Sequence, residues 1–182
     1  MNQASSALHL DIKAMAQSAR HLSAQDLLST YERIMQETQG LGADRLLDWS
    51  AQGELRTNEA GVQQFWLHLS MATCLPLTCQ RCLGLADMVV SVKRSFRFVE
   101  SEAAAEAEDE LAEEDVLALS RDFNLHELME DEVLMALPLF PRHEVCPVEV
   151  KLAVADAEFE EAGTEKINPF AVLAKLQKGK PG

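Results

Sequence analysis

The chain has 182 residues, with 16 Lys and Arg against 30 Asp and Glu, a formal net charge of −14. That length suits one domain with tails and is ample for a core that needs no disulfide or metal staple. The acidity disfavours nucleic-acid binding through a broad basic face and binding to anionic membranes, and it leaves basic protein partners open. The charge is uneven. Nine carboxylates fall in the 16 positions from Glu100 to Asp115, with no Lys or Arg among them. Without that run, 21 acidic residues face 16 basic ones. The chain therefore reads as a mildly acidic body with one intensely acidic insert. No apolar stretch has the length of a membrane span. Met1 to Leu22 lacks the basic start and continuous apolar core of a secretory signal, so a cytoplasmic location is expected. The four cysteines, at 74, 79, 82 and 146, are then expected as thiols or metal ligands.

The first predicted element is a helix over Ser23–Glu37. Ser23 stands as N-cap with Asp26 three residues on, and Leu27, Leu28, Tyr31, Ile34 and Met35 share one side. Gln39-Gly40-Leu41-Gly42 ends it. Strand patterns follow. Leu47, Trp49 and Ala51 alternate with polar residues between Asp44 and Arg56, and Asn58-Glu59-Ala60-Gly61 is a turn signal. From Gln64 to Thr78 the apolar residues Phe65, Leu67, Leu69, Met71, Leu75 and Leu77 lie at odd positions, the pattern of a long strand covered on one face. Pro76 cannot donate to a ladder, so this strand end is expected at an edge or bulge. A third alternating segment runs from Asp87 to Val99, and Cys79 to Gly84 joins the two as an antiparallel hairpin.

The run Glu100–Asp115 has one large apolar residue, Leu111, and reads as a solvated, partly disordered loop. The best helix follows over 124–137, with Asn124 as N-cap, Glu127 at N3, and Pro138 as the stop. Glu130, Asp131 and Glu132 within it read as a solvated helix face. Residues 168–176 read as a short amphipathic helix with Asn168 as N-cap and Pro169 at N1, suited to docking on the core or on a partner. The predicted fold is α+β: an antiparallel sheet around the long hairpin, packed by an N-terminal helix and the helix near 124–137, with an acidic loop insertion. One domain is expected over 1–164, followed by a docking segment and basic tail over 165–182.

The chemistry concentrates in Cys79-x2-Cys82 and His143-x2-Cys146. Two thiolates spaced by two residues can turn toward one ion, and three Cys with one His satisfy tetrahedral zinc. The 60 residues between Cys82 and His143 exceed the spacing of a compact zinc ribbon. The alternative is a pair of reduced surface thiols plus one buried cysteine, and the imperfect second half tilts the reading that way. No other cofactor is expected. A redox dithiol needs a helix N-terminus behind the first cysteine, and no helical pattern follows Leu83-Gly84. Phosphate-loop, dinucleotide-fold, nucleophile-elbow and zinc-protease motifs are absent, and His9, His21, His68 and His126 stand apart from one another. Arg81, with the cluster Lys93, Arg94 and Arg97, could touch RNA phosphates. A polar sheet face paired with the acidic loop explains the same residues equally well.

Leu77-Thr78-Cys79-Gln80-Arg81-Cys82-Leu83, Phe96-Arg97-Phe98-Val99, the string from Leu128 to His143 and the closing Asn168-Pro169-Phe170-Ala171-Val172-Leu173 together resemble the YceD family, bacterial proteins of large ribosomal RNA subunit accumulation. The resemblance covers about residues 60–170. It implies a role in synthesis, processing or stability of 23S ribosomal RNA and brings no catalytic residues, so a non-enzymatic accessory factor in large-subunit biogenesis is expected. Its partner would be a basic ribosomal protein or RNA-processing factor. The acidic insert (Glu106, Glu108, Asp109, Glu110, Glu113 and Glu114) and the tail residues Phe170 and Leu173 are the candidate contacts. The alternatives are direct RNA binding through the basic hairpin and a small zinc-binding interaction module.

Overall fold

The computed structural model describes residues 9–149. Every element below lies before Pro147, where the chain divides. The strands are β1 (His21–Leu27), β2 (Leu46–Thr57), β3 (Gln63–Thr78), β4 (Leu85–Val99) and β5 (Asp115–Ala118), and the helices are α1 (Ile12–Gln17), α2 (Glu32–Glu37), α3 (Glu102–Asp109) and α4 (Leu125–Met135). The strands make one sheet in the order β1-β2-β3-β4-β5. All pairs are antiparallel except β4 with β5, which run parallel with α3 as the crossover. This is the expected α+β architecture around a long hairpin.

The alternation in β3 decides the layering. Leu67, Leu69, Met71 and Leu75 share a buried face with Val90, Val92, Phe96 and Phe98 of β4, and on them pack Ile12 and Met15 of α1 and Leu125, Met129 and Val133 of α4. Each of these large side chains contributes about 1.5–3 kcal/mol on leaving water. α1 comes so close to β2 that a Cβ on Gly53 would lie 2.5 Å from the Met15 carbonyl oxygen, so only glycine fits there. Pairing of β2 with β3 stops at Asp48 opposite Ala72, while β3 continues against β4 to Thr78. Pro76 thus sits where β3 has lost one neighbour, as its missing N–H requires.

The N-terminal helix differs from expectation. Residues 21–27 form a strand paired with β2, Leu22 facing Ala51 and Ala24 facing Trp49, a single 3-10 turn covers Leu28–Thr30, and only Glu32–Glu37 is α-helical. Asp26 caps nothing. Its carboxylate accepts from the Tyr31 hydroxyl at 2.9 Å and from Trp49 Nε1 at 2.7 Å. The helical spacing of Leu28, Tyr31 and Ile34 is genuine, since all three are fully buried, but it belongs to a turn and a short helix that follow the strand.

The acidic run is also structured. Ser101 caps α3 by accepting from the Ala104 N–H. Arg97, only 8% exposed, donates to Glu108 and Glu114, each at 2.6 Å, and the Val116 N–H donates to Asp109. The insert is ordered by ion pairs to a buried arginine, which hydrophobic periodicity cannot register. α4 matches its predicted bounds, with Asn124 accepting from the Glu127 N–H. Its carboxylates, however, are no solvated face: Glu130 and Glu132 are buried. Glu130 accepts from the N–H groups of Arg33 and Ile34 and from Arg33 Nε at 2.6, 3.2 and 2.8 Å. It therefore caps α2, whose own N-cap residue, Tyr31, makes no side-chain capping bond.

Burial opposes ionisation of Glu130, but the Arg33 side chain and the two backbone N–H groups outweigh it and hold its pKa below the ordinary carboxylate value. Such a group stabilises the fold above its unfolded pKa, and that contribution is lost as pH falls through the lower folded value. Glu130→Gln is expected to lower the unfolding free energy by about 1–3 kcal/mol at neutral pH. The gap to the natural protein should close below about pH 4 in urea denaturation.

Candidate metal centre

The hairpin turn places Cys79 and Cys82 on one short loop. The Cys79 N–H donates to the Gly84 carbonyl and the Leu83 N–H to the Cys79 carbonyl, both at 2.8 Å. Leu83 takes a left-handed conformation, φ +60°, to close the loop. After α4, Pro138 ends the helix and the extended chain returns to the hairpin. The Gln80 N–H donates to the Pro141 carbonyl at 2.8 Å, and Gln80 Nε2 donates to the Leu139 carbonyl at 3.4 Å. That docking brings His143 and Cys146 to the cysteine pair across the 60-residue gap.

The ligand atoms of Cys79, Cys82, His143 and Cys146 all lie within 4.8 Å of one another. Cys79 Sγ is 4.0 Å from Cys146 Sγ, and Cys82 Sγ is 3.4 Å from His143 Nδ1. Ligands at ordinary zinc bond lengths around a tetrahedron stand about 3.5–3.8 Å apart, so a small contraction would bring the set onto one ion. His143 Nε2 lies 2.9 Å from the Leu85 carbonyl. An N–H there donates to the carbonyl and leaves the Nδ1 lone pair facing Cys82, an outer hydrogen bond of the kind that orients metal-binding imidazoles. The four residues can hold a metal ion. All four are protein ligands, which fills a tetrahedron and leaves no position for substrate. Spacing pointed to these side chains, whereas the supporting contacts of Gln80, Leu85, Leu139 and Pro141 carried no sequence signal, because they depend on where the chain returns after α4.

The thiols are not equivalent. Burial opposes ionisation of Cys79, but hydrogen bonds from the backbone at Cys82, His143 and Arg81, with the Cys82 side chain, bring its pKa down to about 5. Burial and the neighbouring Cys82 and Cys79 sulfurs push Cys146 up. One thiolate therefore stands ready at neutral pH, the form that binds a cation.

The other candidates separate. Arg94 pairs with Asp115 and lies 3.5 Å from Glu132, and Arg97 is held by Glu108 and Glu114. Arg81 and Lys93 are exposed and make no ion pair among the described residues. The four do not make one basic patch. In the acidic insert Glu108, Glu114 and Asp109 are engaged internally, while Glu106, Glu110 and Glu113 are exposed. Phe170, Leu173 and the helix expected over 168–176 lie outside the described residues.

Sheet, helices and hairpin-tip cluster define a small α+β protein whose two distant chain segments meet at four residues that can hold a metal ion. The model of the family described as large ribosomal RNA subunit accumulation protein YceD matches residues 67–177. That match spans more than half of the chain and both halves of the ligand set, and the chain belongs to this family. The family description concerns accumulation of large-subunit ribosomal RNA and names no reaction. No solved structure matches the chain. Among the described residues no helix is long and apolar enough to cross a membrane.

In metal-free protein, ultraviolet thiolate absorbance should rise through about pH 5, well below an ordinary cysteine. Cys79→Ser should remove that step.

Proposed function

We propose that this chain is a non-enzymatic accessory factor of large-subunit biogenesis that supports 23S ribosomal RNA in the bacterial cytoplasm, with one zinc ion at Cys79, Cys82, His143 and Cys146 as a structural staple. The family match over residues 67–177 carries the functional reading. The closed Cys3His set and the Nδ1-facing imidazole support zinc, whose borderline softness suits thiolate with imidazole. Bound there, the ion would pin the segment after α4 to the hairpin tip.

The action is indirect: the acidic body holds a basic ribosomal protein or processing factor and occupies the surface that RNA phosphates will take later. Glu106, Glu110 and Glu113, exposed carboxylates of the insert with no side-chain bond among the described residues, serve it. Of the four hairpin cations, Arg81 and Lys93 make no ion pair among the described residues, and two cations provide little phosphate affinity at cellular salt.

In cells lacking the natural copy, full-length chain should restore 23S RNA, whereas the triple change of Glu106, Glu110 and Glu113 to Gln should restore it only in part. Full rescue by the triple variant would remove the indirect mechanism. Protein purified without chelator should carry one zinc per chain by elemental analysis. Cys82→Ser should lose most of it and melt several degrees lower.

A further inference from the structure

Three sulfurs and one imidazole meet at the hairpin tip, and the sulfurs are not placed alike. Cys79 Sγ lies 4.0 Å from Cys146 Sγ, whereas Cys82 Sγ faces His143 Nδ1 at 3.4 Å. Cys79 is buried, and Cys82 and Cys146 are half-buried. Cys74 stands outside the group whose ligand atoms lie within 4.8 Å of one another. The close sulfur pair joins positions 67 residues apart, one in the loop after β3 and the other on the segment that follows α4.

The way these cysteines pair on oxidation has a structural consequence. A Cys79–Cys82 bond would close within one loop and leave the returning segment with no covalent link. A Cys79–Cys146 bond would tie together the two segments that a shared ion would tie. The backbone favours the second. The tip is held by the Cys79 N–H on the Gly84 carbonyl and the Leu83 N–H on the Cys79 carbonyl. The returning segment is held against it by the Gln80 N–H on the Pro141 carbonyl. With both backbones docked, rotation of two side chains is what brings the pair from 4.0 Å to bonding distance. Cys82 is meanwhile turned to the imidazole.

We propose that Cys79 and Cys146 are a peroxide-sensitive pair: hydrogen peroxide joins them as a disulfide, the zinc ion leaves, and a covalent staple takes the place of the metal one. The half-buried Cys146 meets the oxidant first. Its thiolate attacks one peroxide oxygen, the O–O bond breaks, and a sulfenic acid and hydroxide result. The Cys79 thiolate then attacks that sulfur, the S–O bond breaks, and a second hydroxide departs. Each hydroxide takes a proton from solvent and leaves as water. The two sulfurs together lose the two electrons that one peroxide gains. Cys82 and His143 remain, too few ligands for a closed tetrahedral site. Release of zinc rests on the reading that the site holds zinc, whereas the choice of sulfur pair rests on the geometry alone.

The test treats full-length, zinc-loaded protein with hydrogen peroxide. Metal release is followed with a chromogenic zinc chelator, and peptides digested without reduction are read by mass spectrometry. Zinc should be lost as the chain becomes lighter by two hydrogens. One linked peptide should join Cys79 to Cys146, while Cys74 and Cys82 still take up iodoacetamide. Dithiothreitol should restore both thiols and zinc binding. The oxidised chain should melt above the reduced, metal-free chain, because its two segments stay joined. Cys82→Ser, poor in zinc, should form the same linkage. A main product joining Cys82 to Cys79 or to Cys146 would overturn the proposal, as would sulfinic acid without a disulfide, or zinc that stays bound under excess peroxide. Mapping in the natural protein decides the matter should Cys82→Ser prove unstable. Protein that carries no zinc and still joins Cys79 to Cys146 would support the sulfur pair and remove only the metal reading.

Discussion

The one-sidedness of β3 is the constraint on which the molecule depends. With apolar residues at odd positions of a 16-residue strand, one face of the sheet must be covered and the other can stay polar. A slip of one residue would exchange the faces. Everything on the covered side follows: α1 lies against Gly53, and α4 brings Met129 and Val133. The polar side then organises itself by charge. His68 bonds Glu54 and Ser95, Arg56 stacks on Trp66, and Arg97 holds the acidic insert. One strand pattern thus separates a hydrophobic half of the fold from an ionic half.

The same strand length sets up the cluster of Cys79, Cys82, His143 and Cys146. β3 and β4 remain paired for six residues of β3 beyond the last partner of β2, from Thr73 to Thr78. The hairpin tip therefore stands clear of β2, where a loop can be met by another segment. Pro138 ends α4 and the chain that follows runs extended, which is what lets Pro141 and His143 reach that tip. The long gap between Cys82 and His143 is no obstacle, because the intervening residues are β4, α3, β5 and α4 in a fixed arrangement. Loop-closure entropy is largely met by folding before the ligands are brought together.

The elements that were legible in the sequence are those whose order comes from apolar periodicity: β2, β3, β4 and α4. Missed or displaced were those held by polar contacts. Residues 21–27 look helical because Leu27 and Leu28 fall in step with Tyr31 and Ile34, yet the strand is fixed by pairing to β2, whose partners lie 19 to 31 residues on. The insert 100–115 contains almost nothing apolar, and its helix is ordered by Arg97. For the ligand set, residue type and spacing identified all four side chains. Their proximity, the Leu85 carbonyl behind His143 and the Gln80 clasp were beyond reach, since each is a product of the return path after α4.

Net charge alone is a poor guide to how this surface works. Of the nine carboxylates in the insert, Glu108, Glu114, Asp109 and Asp115 are bonded to Arg97, the Val116 N–H and Arg94. They serve the fold first, and they also neutralise the cations that would otherwise have formed a basic hairpin. Acidic insert and basic strand are one structure, and pairing ties Arg94 and Arg97 to the insert. What the pairing leaves over in the insert is Glu100, Glu102, Glu106, Glu110 and Glu113, all exposed and without a side-chain bond among the described residues. The charge such a surface presents depends less on the total of −14 than on the few carboxylates the fold has not already satisfied.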